Sequence, residues 1–97
     1  MRLILLDQAK QDLADIARYI TKESGDRHIG YDFAKRLLSK CRDLVSYPYQ
    51  MGSPRDELRK NLRSFPFGSY VIFFQYEADT LNIITIIHGS RDIIAMF

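Results

Sequence analysis

The sequence predicts an α+β domain in which an N-terminal strand and an α-helical hairpin pack on a mainly antiparallel four-stranded sheet. Three observations carry this. Phe33, Ala34, Leu37, Leu38, Cys41, Leu44 and Val45 recur at helical three-four spacing. Val71 to Tyr76 and Leu81 to Ile87 are β-branched or aromatic runs separated by the short polar break Glu77-Ala78-Asp79-Thr80. The link Ser24-Gly25-Asp26 between two amphipathic helical patterns is too short for anything but an antiparallel pair.

In order along the chain, Arg2 to Leu6 is a short apolar strand, with Asp7 as N-cap of the first helix. Ala9, Leu13, Ile16, Ala17 and Ile20 form its buried stripe, and Lys10, Asp12, Asp15, Arg18 and Lys22 face away. Gly25 suits a left-handed helix end, and Ser24 or Asp26 caps the second helix. That helix is expected from about Arg27 to Ser46, with Gly30 also on its stripe, stopped by Tyr47-Pro48. Tyr49 to Lys60 reads as a loop, with a helical turn over Asp56 to Lys60. Three strands follow in a meander over residues 62 to 88. Pro66 and Gly68 are expected as second and fourth residues of a type I turn. The late strands are apolar at odd and even positions alike, so both sheet faces need cover, more than so short a chain is expected to supply. The tail Ile93, Ile94, Met96 and Phe97 is apolar enough to fold back as a partial cover or to be held by a partner.

The 97 residues form one domain, residues 1–97, and 46% hydrophobic content excludes a disordered chain. With no export signal or membrane-length apolar run, a cytoplasmic location is expected. Cys41 is the only cysteine, so no internal disulfide forms, and it reads as a buried small hydrophobe. No metal-ligand spacing, glycine-rich phosphate loop or nucleophile elbow is present, and no cofactor is expected.

The net charge of +2 is unevenly spread: Arg27 to Arg63 carries +5, flanked by −1 before and −2 after. Either an acidic partner or a solvated helix face with a charged loop accounts for this. His88, where the last strand leaves the sheet, is suited to acid-base chemistry or to a plain strand-end hydrogen bond. Arg63, with Arg59 and Lys60 nearby, is suited to clamping a phosphate or carboxylate, or to a surface ion pair with Glu57 or Glu77. The aromatic residues between Phe65 and Tyr76 are better read as core than as a base-stacking platform, because no Lys or Arg lies between Ser64 and Ser90.

The order strand, helical hairpin, basic loop and meander, with Leu62 to Phe74 (LRSFPFGSYVIFF) and Ile86 to Asp92 (IIHGSRD), resembles the ParE branch of the RelE/ParE toxin superfamily. Ala9, Asp12, Leu13, Ile16 and Tyr19 look like that family's first helix. The resemblance implies the toxin half of a type II toxin–antitoxin module, non-catalytic, causing growth arrest through DNA gyrase and neutralised by a cognate antitoxin. Direct nucleic-acid binding is not implied. The expected target-binding residues are Arg55, Arg59, Lys60, Arg63, His88 and Arg91; the expected antitoxin contacts are Phe33, Leu37, Tyr70, Phe74, Ile84 and Ile86. The RelE branch implies instead a ribosome-dependent mRNA ribonuclease with Arg63 and His88 as catalytic groups, helped by Lys60, Arg59 or Glu57. A degenerate toxin that only binds its antitoxin is a third reading. RelE-like enzymes carry catalytic Tyr, Lys or Arg in a C-terminal extension, whereas only Arg91 follows the last strand here. That favours the inhibitor.

Overall fold

Local capping fixes the hairpin. In the computed structural model, which describes residues 1–97, β1 (Arg2–Leu5) leads directly into α1 (Asp7–Ser24). Leu6, not Asp7, occupies the N-cap position; Asp7 lies in the first turn, where a carboxylate favours the unpaired amides without capping them. Gly25 closes the helix at φ 72°, its amide donating to the Thr21 carbonyl at 2.9 Å. Asp26 caps α2 (Arg27–Ser46) by accepting from the His28 amide at 2.8 Å. Gly30 lets the two helices close, because a Cβ there would lie 2.4 Å from the Ala17 carbonyl oxygen.

The sheet has five strands, not four, in the order β1-β5-β4-β3-β2, with β1 parallel to β5 and the other pairs antiparallel. The extra strand is β2 (Ser53–Pro54), two residues on the edge of β3 (Arg63–Phe67). The helical turn expected over Asp56 to Lys60 is limited to one turn starting at Arg55, in which the Leu58 and Arg59 amides donate to the Arg55 carbonyl and no helix follows. The first reversal differs from the type I turn expected at Pro66: β3 continues through Pro66, and Gly68-Ser69 alone joins it to β4 (Tyr70–Glu77). Gly68 has φ 57°, as the first position of a II′ hairpin requires. In a two-residue hairpin Phe67 and Tyr70 are hydrogen-bonded partners, so by alternation Pro66 points its nitrogen outward past the end of β2 and forfeits no ladder bond. The second reversal falls at Ala78-Asp79, leading into β5 (Thr80–His88).

A bulge divides β5 between two cores. Phe74 pairs with Ile83 and Phe73 with Thr85, leaving Ile84 without a partner. Leu81, Ile83 and Ile86 therefore join the core under the helices with Ala9, Ile16, Leu37, Cys41, Leu44, Ile72 and Phe74. Ile87 joins Leu62 and Phe73 on the opposite face, with Ile84 packed against them. Of the two expectations for the tail, the structure shows the folded-back cover, and the chain shelters much of that second face itself. Leu58 packs on it from the loop, and α3 (Ile93–Met96) folds back so that the Phe97 ring lies 5.0 Å from that of Phe73.

Asp12, expected to face solvent, is half-buried and reaches the bulge. Its Oδ2 accepts from the Ile86 amide at 2.9 Å and from the Thr85 hydroxyl, and its Oδ1 accepts from Gln8 Nε2 at 2.9 Å. Truncation strands the Ile86 amide. Asp12→Ala is expected to cost about 2 kcal/mol, lowering the thermal midpoint by about 8–16 °C in a calorimetric scan.

Cys41 is fully buried, and burial pushes its thiol up to about 11, partly offset by a backbone hydrogen bond. Because the folded value lies above the unfolded one, the stabilisation is complete below about pH 9 and is lost as pH rises through about 11. Urea titrations should show stability falling by about 1.4 kcal/mol per pH unit across that window, relative to Cys41→Ala.

Candidate functional site

The bulge sends His88 to the same face as Tyr70, its cross-strand partner, and their rings meet edge-on at 5.2 Å. Phe33 of α2 supports Tyr70 from behind at 5.7 Å. Asp12 holds α1 over this end of the sheet, bringing Asp15, Ile16 and Tyr19 alongside. Ser90, Arg91 and Met96 close the remaining side. The result is a cleft of about 380 Å³ with an apolar floor and a polar rim.

The polar groups of the rim are unequally occupied. Tyr70 is only 9% exposed, and its phenol is held above the usual tyrosine range by desolvation and then by the neighbouring Tyr19. His88 Nδ1 accepts from the Ser90 amide at 3.1 Å and lies 2.7 Å from Ser90 Oγ. An acceptor Nδ1 places the ring proton on Nε2. The Arg91 amide donates to the His88 carbonyl at 3.0 Å, while its guanidinium forms no ion pair. Asp15 is paired with Arg18 and accepts from Gln11.

The expected target-binding residues separate into three groups. His88 and Arg91 share the cleft. Arg55 and Arg59 lie on the other face of the sheet, stacked over Phe73 at 5.9 Å and Phe97 at 5.1 Å, with Arg55 also bonded to Glu57 at 2.9 Å. Lys60 stays in the same loop, where its carbonyl accepts from Gln75. Arg63 is a brace: its Nε donates to the Met51 carbonyl at 2.7 Å and its Nη2 to the Gly52 carbonyl at 2.8 Å. Neither a free anion clamp nor a pair with Glu57 or Glu77 survives that arrangement.

Among the expected antitoxin contacts, Tyr70 and Ile86 line the cleft, and Phe33 and Ile84 are half-buried. Leu37 and Phe74 are fully enclosed in the chain's own core and offer no surface, because the periodic stripe of α2 faces its own sheet. Asp12 and Asp15, which the helical pattern places on the solvent side, are cleft residues, and so is Tyr19, which that pattern assigns to neither face. Beside the family resemblance of the first helix, the signal for Asp12 is Thr85, a polar residue inside an isoleucine run. No three His, Cys, Asp or Glu side chains are grouped to hold a metal ion, and no helix is long and apolar enough to cross a membrane.

A helical hairpin on a five-stranded sheet, with a cleft where the last strand emerges, has a counterpart among solved structures. A chain of the chromosomal ParDE TA system from P. aeruginosa superposes with a TM-score of 0.79 over 91% of this chain and 95% of that one, at 16% identity. Toxin ParE1 of Caulobacter vibrioides is 31% identical over 85 residues, spanning 88% of this chain and 85% of the relative. Residues 3–93 match the family described as ParE toxin of type II toxin-antitoxin system, parDE. The chain belongs to the ParE toxin family.

Arg63→Ala should release the loop around Met51 and Gly52, costing about 1–3 kcal/mol. Limited proteolysis within residues 47–54 should accelerate correspondingly.

Proposed function

We propose that this ParE-type toxin is a non-catalytic inhibitor of DNA gyrase, acting in the cytoplasm and neutralised by a cognate antitoxin that occupies the cleft. Family membership supports the class. The observation that carries the choice of inhibitor over ribonuclease is the separation of Arg63 from His88. Ribonuclease chemistry needs a base, a cation and an acid around one phosphodiester. Arg63 and His88 stand on β3 and β5 with β4 between them, aligned with Phe74 and Tyr70 respectively. Strand geometry then sets their Cα atoms about 16 Å apart. The Arg63 guanidinium is, moreover, turned onto Met51 and Gly52.

The cleft combines two residues expected to meet the target, His88 and Arg91, with two expected to meet the antitoxin, Tyr70 and Ile86. One partner thereby hides the groups needed for the other, which is a direct route to neutralisation.

Purified protein at micromolar concentration should inhibit supercoiling by gyrase and increase cleaved DNA, and the antitoxin should reverse both. No effect beside a working positive control contradicts the gyrase reading. Messenger RNA cuts in the ribosomal A site that vanish in Arg63→Ala or His88→Ala establish the ribonuclease instead.

A further inference from the structure

Three hydrogen-bond donors in the cleft lack partners in the chain. The Tyr70 hydroxyl belongs to a side chain that is nine-tenths buried, opens on the cleft and makes no hydrogen bond. The His88 Nε2 proton is free because Ser90 occupies Nδ1. The Arg91 guanidinium is unpaired. Tyr70 is nine-tenths buried, His88 half-buried and Arg91 exposed, so the three donors stand at the mouth of one cleft with no acceptor from this chain and are free to meet one from outside it.

The acceptor must be anionic to match Arg91, compact enough for a cleft of about 380 Å³, and attached to something that rests on its apolar floor. The acidic groups nearby limit its charge. Asp15 is neutralised by Arg18, but Asp12 has no cationic partner, although the Ile86 amide, the Thr85 hydroxyl and Gln8 occupy its oxygens. A doubly charged phosphate is repelled by Asp12 more strongly than a carboxylate is. A carboxylate also has the lone pairs to accept from a phenol, an imidazole and a guanidinium together.

We propose that the cleft is a carboxylate pocket in which an Asp or Glu side chain of the antitoxin is held by the Tyr70 hydroxyl, His88 Nε2 and the Arg91 guanidinium. This rests on the antitoxin-neutralised reading above and names the chemistry of the contact. The apolar neighbours of that acidic residue lie on Ile16, Ile86 and Met96.

The test is an NMR titration of the intact protein with N-acetyl-glutamate N-methylamide, followed at the side-chain resonances of His88 and Arg91. Parallel titrations use the corresponding capped lysine and inorganic phosphate. Saturable shifts with the capped glutamate, absent with lysine and weaker with phosphate, are expected. Tyr70→Phe keeps the ring contacts with His88 and Phe33 and should weaken glutamate binding about tenfold without changing the thermal midpoint appreciably. Antitoxin that co-purifies with the chain should abolish the glutamate shifts. Capped lysine saturating the site, phosphate binding more tightly, no saturable shift, or equal affinity in Tyr70→Phe overturns the pocket. Antitoxin that binds while the glutamate shifts persist overturns its role as anchor but leaves neutralisation standing. If no antitoxin forms a complex, the neutralised-toxin reading fails, and with it the proposed occupant, whichever way glutamate behaves.

Discussion

The carboxylate of Asp12 on the Ile86 amide is the interaction on which the arrangement depends. A strand that alternates without interruption presents one set of side chains to each face. β5 cannot do so and still bury Leu81, Ile83 and Ile86 under the helices while Ile84 and Ile87 serve the opposite core. The bulge resolves this by inserting Ile84 out of register. Asp12 accepts the Ile86 amide beyond it, and the same carboxylate takes the Thr85 hydroxyl. One side chain thus satisfies polar groups at the irregularity and docks α1 onto the strand.

The cleft is a consequence of that docking. Without the extra residue, His88 would point to the face opposite Tyr70, and Tyr19 would have no site to border. With it, a cross-strand Tyr-His pair stands at the end of the sheet against the second half of α1. The second core closes differently. Phe97 and Ile93 lie over Phe73 and Leu62, with Arg55 and Arg59 stacked on the aromatic rings. The C-terminal segment therefore does two things: its outer residues seal a sheet face, and Arg91 and Met96 form one wall of the cleft. Among the surfaces left open to a partner is a polar-rimmed cleft, and the second sheet face is no longer a bare apolar one.

Much of the fold was legible because local and tertiary signals agreed. The bounds of α2 follow from a long three-four stripe, Asp26 before it and Pro48 after it. Gly25 and the Glu77–Thr80 reversal were equally plain. Misreadings arose where pairing overrode local preference. Pro66 and Gly68 looked like a four-residue turn, yet an outward-facing proline on a short-partnered strand sacrifices no hydrogen bond, so β3 runs on. β2 is two residues long and has no pattern of its own. The bulge was hidden because an isoleucine run looks the same in either register.

The candidate site was partly visible for the same reason. His88 and Arg91 can be chosen by residue type and position at the strand end, and the structure brings them into one cleft with Tyr70 and Ile86. The role of Arg63 is not legible in the sequence, because backbone carbonyls of a loop leave no trace in side-chain chemistry, and those carbonyls are what it binds. Asp12 was assigned to solvent because helical phase alone cannot show what a bulged strand offers to it. The most direct measurement of this account is native-state hydrogen exchange at the Ile86 amide. Protection close to that of the core amides of β4 and β5 is the predicted result, and exchange at the rate of a solvent-exposed edge amide would contradict it.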